Sequence, residues 1–183
     1  MGCLQSSKSI GRKFLRGDVG SAAVEFAMVS PIFIVLILAT LQLGVVYFAK
    51  SYLETGAEQG ARLVLTNNAV TTSNGVTSPM TQAQFQAAIC AQFTVLINCA
   101  NLVVQLEPLP NNTTSVSSMM PTYKSDGTLA APTTFTTGSG GQNMLLIVEY
   151  PLPVIGGALG FNFSTLGNGS LLLVSTQIFR IES

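Results

Sequence analysis

Few side chains in this chain of 183 residues could do chemistry, and their types narrow what that chemistry is. There is no His, so the commonest general base, the commonest metal ligand and the usual partner of a Ser or Cys nucleophile are missing. Three Cys remain, Cys3, Cys90 and Cys99, and none has the companions a zinc site needs. Glu54 and Glu58 stand four apart, a spacing that a solvated helix face explains better than acid–base work. Gly138-Ser139-Gly140-Gly141 is glycine-rich, but Gln142-Asn143 follows where a phosphate loop needs Lys and Ser or Thr. The N-x-S/T sequons at Asn111, Asn112, Asn162 and Asn168 fit chance in so Asn- and Thr-rich a chain. No enzyme, cofactor or metal centre is expected. Two features remain: a Cys90–Cys99 disulfide, and Glu25, a carboxylate directly before a long apolar run.

That run positions Glu25. Phe26 to Ala49 is a 24-residue stretch without a charge, which as a helix is about 36 Å long, enough for a hydrocarbon core of about 30 Å with some tilt. Tyr47 and Phe48, followed by Lys50, fall where an interfacial aromatic belt belongs. Pro31 lies in the first third, where it deprives the Ala27 carbonyl of its helical partner. Residues 1–16 carry Lys8, Arg12, Lys13 and Arg16 and no acid. This asymmetry keeps the N-terminal side cytoplasmic and exports everything after the span. The start Met1-Gly2-Cys3 fits an acylation pattern, yet a chain with a full span gains nothing from a myristoyl anchor. The span is too long for a conventional signal peptide. Charged residues make up 9% with formal net charge zero, so no basic face exists for nucleic acid.

Cys90 and Cys99 lie on the exported side, where a disulfide persists. Nine residues apart on an unbroken helix they would be about 13 Å apart, and a bridge needs Cα atoms within about 7 Å. The pairing therefore predicts a helix that ends near Ile97 and a chain that folds back, pinning that helix to the next strand. The helix starts at Thr81, with Gln84 completing a capping box. Phe85, Ala88, Ile89, Phe93, Leu96 and Ile97 form its apolar face.

The first helix is expected to continue past the membrane to about Thr66. Leu53, Ala57, Gly60, Ala61 and Val64 share one stripe. Gly56 and Gly60 form a small-xxx-small pair, which suits packing on the chain's own domain or a dimerisation face. Asn67-Asn68 stops it, and 67–80 reads as a polar loop. Strands are predicted at Leu102–Glu107, Met144–Tyr150 and Leu171–Arg180. Residues 109–143 read as a flexible loop, a long surface excursion or a partly mobile one. Val154, Ile155, Leu159 and Phe161 make an apolar patch that faces the membrane or a partner, or closes the core. The expected class is α+β: a long N-terminal helix as membrane span and stalk, a second helix, and a small antiparallel sheet on which both pack. The expected divisions are a basic leader at 1–20, span and stalk at 21–66 (span 26–49), and an exported domain at 67–183.

The stretch around Glu25 carries a resemblance. A short basic leader, Gly20, then Ser21-Ala22-Ala23-Val24-Glu25-Phe26 and the apolar run resemble the type IV pilin superfamily. In pilins a prepilin peptidase cuts after such a Gly, and the carboxylate at the fifth position is thought to meet a neighbouring subunit's new N-terminal ammonium. In lipid each charge would be costly alone and tolerable as a pair. Glu-Phe at positions five and six is similar to the Glu-Tyr of the Flp subgroup. The run GSAAVEFAMVSPIFIVLILATLQLGVVYFAKSYLETGAEQGARLV, with V-E-F-A…P at its start and Ala61-Arg62 at its end, resembles the TadE/TadG-like pseudopilins of tight-adherence (Flp) pilus systems. Ser175-Thr176-Gln177-Ile178-Phe179-Arg180-Ile181-Glu182 is similar to that family's closing R-x-E. The resemblance implies processing at Gly20 and Ser21, assembly through Glu25 and Phe26, and a pilin-like fold. It implies a minor pseudopilin in the bacterial inner membrane, N-terminus in the cytoplasm. Its partners would be the membrane, a prepilin peptidase, other pseudopilins, the Flp pilin and the inner-membrane assembly platform. The alternative is an uncleaved single-pass envelope protein with an exported binding domain.

Overall fold

The computed structural model describes residues 19–66, 68–73, 76–93, 97–110, 116–154 and 162–182. The basic residues of the leader, Cys3, and Ile155, Leu159 and Phe161 of the apolar patch lie outside them. The chain divides into two compact units, Met1–Leu41 and Gln42–Ser183.

Helix α1 runs Val19–Leu65 and keeps Pro31 inside it. Its first unit is an apolar helix exposed on nearly every side from Ala22 to Leu41. In the second unit the same helix becomes one wall of a core: Ala49, Leu53, Ala57, Ala61 and Val64 are buried. Ala49 is fully covered by protein and Val46 packs against the core. The last turn of the expected span is therefore partly covered by the folded unit, and Phe26–Val45 is the exposed remainder of the apolar run. At about 1.5 Å per residue that is about 30 Å, still the thickness of a hydrocarbon core.

Strands β1 (Val70–Ser73) and β2 (Val76–Pro79) follow as an antiparallel hairpin with Ser73 opposite Val76. This corrects the expected polar loop. The sequence Asn74-Gly75 between two Val/Thr/Ser runs is a hairpin signal. Helix α2 is Gln82–Cys90. Its capping box is as expected: the Thr81 side chain accepts from the Gln84 backbone, and the Thr81 N–H donates to Gln84 Oε1 at 2.9 Å. The helix ends seven residues earlier than Ile97, because Gln92 and Phe93 donate to Ile89 and Cys90 in a tightened turn. Phe93 and Ile97 are buried all the same, from irregular chain rather than from a helix face. Cys90, the last residue of α2, is bonded to Cys99 with the Cα atoms 5.8 Å apart. Cys99 opens a short 3-10 turn (Cys99–Asn101) directly before β3. The bridge thus pins helix end to strand start.

Strands β3 (Val103–Pro108), β4 (Asn143–Pro153) and β5 (Ser170–Arg180) form an antiparallel sheet in that order. Alternation divides its faces. Val104, Leu106, Met144, Leu146, Val148, Tyr150, Leu152 and Leu173 join the α1 and α2 residues in one core. Tyr150 also anchors the turn after α2, its hydroxyl accepting from the Asn98 N–H at 3.1 Å. The class is α+β, with two helices on one face of a small antiparallel sheet. On the opposite face Leu145, Ile147 and Glu149 are buried too. The described part of the 109–143 stretch runs over that face and along the β3 edge as a surface excursion: a 3-10 turn at Val116–Met119, a bridge between Tyr123 and Leu129, and another between Leu106 and Phe135, whose ring meets Phe85 of the core.

Candidate functional site

Gly20 and Ser21 lie in the first turn of α1, so the sequence-derived processing site is on helical backbone. Glu25 is exposed on the same helix, one turn further on. Phe26 beside it is 74% exposed, and Met28, Val29, Ile32 and Phe33 continue the apolar surface. With such a surface in lipid, a carboxylate at its border would cost less to desolvate than one at a bilayer centre. The helix is long and apolar enough to cross a membrane once. The structure brings Glu25 and Phe26 together as neighbours on α1 and places Cys90 and Cys99 elsewhere, in the folded unit.

The small residues of α1 have a different job. A Cβ added at Gly60 would come within 2.8 Å of Ile89 and 3.2 Å of Phe85, and one at Gly56 would collide with the Phe93 ring. Both glycines are therefore close-approach positions for α2 and the turn after it, inside the same chain. Of the two readings of this small-xxx-small pair, packing on its own domain is the one observed. At the exposed face, Lys50 and Glu54 are 3.9 Å apart and both half-exposed, a pair worth little at a solvated surface.

The closing Arg180-Ile181-Glu182 acts through backbone geometry. Gly141 donates to the Ile181 carbonyl and Ile181 to the Gln142 carbonyl, each at 3.0 Å. Arg180 Nε donates to the Gly141 carbonyl at 3.0 Å. The Glu182 N–H donates to Leu65 O at 3.1 Å, satisfying one of the carbonyls that a helix end leaves without a partner. This segment ties the end of the sheet to the end of α1.

A family model described as TadE-like protein matches residues 20–62. Over most of its length the long helix is similar to the TadE-like family. The match begins at Gly20 and closes at Arg62, so the matched segment takes in the positions expected for processing and assembly, the apolar surface and the small-residue wall of the domain core. No curated protein and no solved structure matches the chain.

One polar group went unnoticed in the sequence. Glu149, in the middle of β4, is 1% exposed and accepts a hydrogen bond from the Tyr123 hydroxyl at 2.8 Å. Nearby, Gln105 Nε2 donates to Glu107 Oε1 and to the Met119 carbonyl, each at 2.7 Å. The excursion is thus held to the sheet by polar contacts at Glu149 and Gln105. Burial pushes the Glu149 carboxyl above its ordinary value, while the Tyr123 hydrogen bond works in the other direction. Burial, with Glu149 alongside, pushes the Tyr123 hydroxyl up as well.

The consequence for stability has a definite sign. With the folded pKa raised above the unfolded one, the native state keeps a proton that the unfolded chain has already lost. Glu149 thus costs nothing below its ordinary value of 4.5 and lowers stability as pH rises through the folded pKa. Glu149→Gln keeps an oxygen for Tyr123 and cannot ionise. Its stability relative to the parent is expected to climb from pH 4 to pH 7 in urea unfolding; parallel profiles would refute the assignment.

Proposed function

We propose that this chain is a minor pseudopilin for biogenesis of a tight-adherence (Flp-type) pilus, held in the bacterial inner membrane by α1 with its folded domain outside. It acts through assembly rather than catalysis. The observation that carries this reading is the TadE-like match over residues 20–62 on a helix whose N-terminal apolar surface is open around Glu25 and Phe26. In a helix serving only as a tether, Glu25 is an acid near a helix N-terminus and nothing more. In a helix that stacks on other subunits it has a partner, since an ammonium and a carboxylate in lipid stabilise each other. In this reading a prepilin peptidase cuts between Gly20 and Ser21, and the new ammonium of one subunit meets Glu25 of another. Other pseudopilins, the Flp pilin and the assembly platform are then its partners.

Glu25→Ala tests the reading. Piliation and surface adherence are expected to fall to the level of a deletion strain, while the amount of protein in the membrane stays unchanged. Full piliation with the variant refutes the assembly role. Processing is read separately: with an active prepilin peptidase the N-terminus should become Ser21, and an unaltered N-terminus in its presence removes the cleavage step.

A further inference from the structure

The two edges of the three-stranded sheet are finished in opposite ways. In an antiparallel ladder, alternate residues turn their N–H and C=O toward the partner strand and the rest turn them outward. On β3 most of the outward groups are occupied. The Leu102 carbonyl accepts from Gln86 Nε2 at 2.9 Å and the Val104 carbonyl from Gln82 Nε2 at 2.8 Å. Leu106 donates to the Thr134 carbonyl and accepts from the Thr136 N–H. Pro108, next in the series, has no N–H to offer. The 134–136 segment and the α2 glutamines thus cover most of this edge.

The β5 edge is not so covered. Pro151 of β4 stands opposite Leu172 and has no N–H, and the Leu172 N–H turns away to Thr165 Oγ1 at 2.8 Å. Leu172 therefore faces outward, and with it every second residue: Val174, Thr176, Ile178 and Arg180. Among the described residues, no group bonds the outward backbone of Val174, Thr176 or Ile178. From Val174 to Phe179 this edge has no charge and no proline, and its register with β4 is unbroken by a bulge. These are the devices by which sheet edges are ordinarily blunted. Ile178, at the open edge, is 56% exposed.

We propose that the outer edge of β5 is a docking strand, which adds an extended, uncharged segment of a partner protein to the sheet. The open groups alternate donor and acceptor at strand spacing, a pattern that extended backbone satisfies and a helix does not. The side chains from Val174 to Phe179 offer no charge to pair, so the incoming segment is apolar or neutral. A second copy of this chain is the competing occupant, and sedimentation separates the two.

The test uses the full chain in detergent and a capped seven-residue peptide of alternating Thr and Val. The control is the same peptide N-methylated at alternate residues. The plain peptide is expected to slow amide exchange at Val174, Thr176 and Ile178 at least tenfold, and the methylated one to leave it unchanged. Thr176→Pro removes an outward N–H that the β4 ladder does not use, and is expected to weaken peptide binding more than tenfold. Ile178→Lys, at an exposed position, should do the same and serves if the proline variant does not fold. Absence of protection in the parent chain, or equal binding by a folded variant, overturns the proposal. So does a parent chain that sediments as a dimer lost in Thr176→Pro, which would make a second copy the occupant. Carbonate extraction of membranes reads the anchoring on its own: a chain that washes off yet binds the peptide loses the anchor and keeps the edge.

Discussion

Gly60→Leu is expected to destabilise the folded unit by about 3 kcal/mol, the upper part of the range for overpacking a core, while Gly60→Ala changes stability by less than about 1 kcal/mol. The difference separates two roles that a helical glycine can have. As a residue without a side chain it weakens its own helix by roughly 1 kcal/mol relative to Ala. As a close-approach position it lets α2 come near. A single Cβ at Gly60 meets Ile89 Cδ1 at 2.8 Å and Cγ1 at 3.0 Å. The Cδ1 end of Ile89 can give a few tenths of an ångström, so the gain in helix propensity and the contact cost roughly cancel in Ala. A Leu cannot be accommodated that way. Ile89 and Phe85 are both fully buried, and an interior packed to crystal-like density has no space into which to move them. Urea unfolding of the detergent-solubilised chain gives the two values. A Leu variant as stable as the parent would show that α1 and α2 do not meet closely at this point.

The same contrast explains what could be read from the sequence and what could not. The extent of α1 was legible because its cause is local: an uncharged run from Phe26 to Ala49, then a stripe of Leu53, Ala57, Gly60, Ala61 and Val64 at helical spacing. The observed Val19–Leu65 departs from the expected end at Thr66 by one residue. The Thr81–Gln84 cap was legible for the same reason. The end of α2 was not. Phe93 and Ile97 sit at i+4 and i+8 from Ile89 and are buried, so periodicity carries the helix through them. What ends it is a tertiary demand, the return of Cys99 to Cys90. Glu149 is a sharper case. In the run LLIVEYPL its period places it opposite the core face, where a polar residue ordinarily meets water. Only the excursion, which brings Tyr123 from 26 positions away, turns that position into a buried one. The outward parity of β5 is equally invisible until the register with Pro151 is known. For Glu25 the outcome is mixed: its type and its place before the span were plain, and its exposure on α1 is now observed.

Cys90→Ala with Cys99→Ala is expected to lower the stability of the folded unit by a little under about 3 kcal/mol, measured under oxidising conditions. The two residues are 9 apart in sequence, and cross-linking a loop of that size restricts the unfolded chain by about this amount. Local geometry is expected to survive the loss, because the bridge is not alone at this seam. Gln86 Nε2 donates to the Cys99 carbonyl at 2.8 Å and to the Leu102 carbonyl at 2.9 Å, so α2 stays stitched to the start of β3. The Asn98 side chain accepts from Ala100 and holds the 3-10 turn. Ala is chosen over Ser because Cys90 is buried, and a hydroxyl there would add the cost of an unpaired polar group. The double variant should therefore unfold earlier in urea with native-like amide protection across Gln82–Cys90 and Val103–Pro108. Adding reductant should bring the parent down to the variant and leave the variant where it was. If instead the variant matches the oxidised parent, or two free thiols label in exported parent protein, the bridge contributes nothing to this domain. If protection across α2 collapses while the rest persists, the disulfide holds that helix in place directly rather than by restricting the unfolded chain, and Gln86 alone is too weak a clasp.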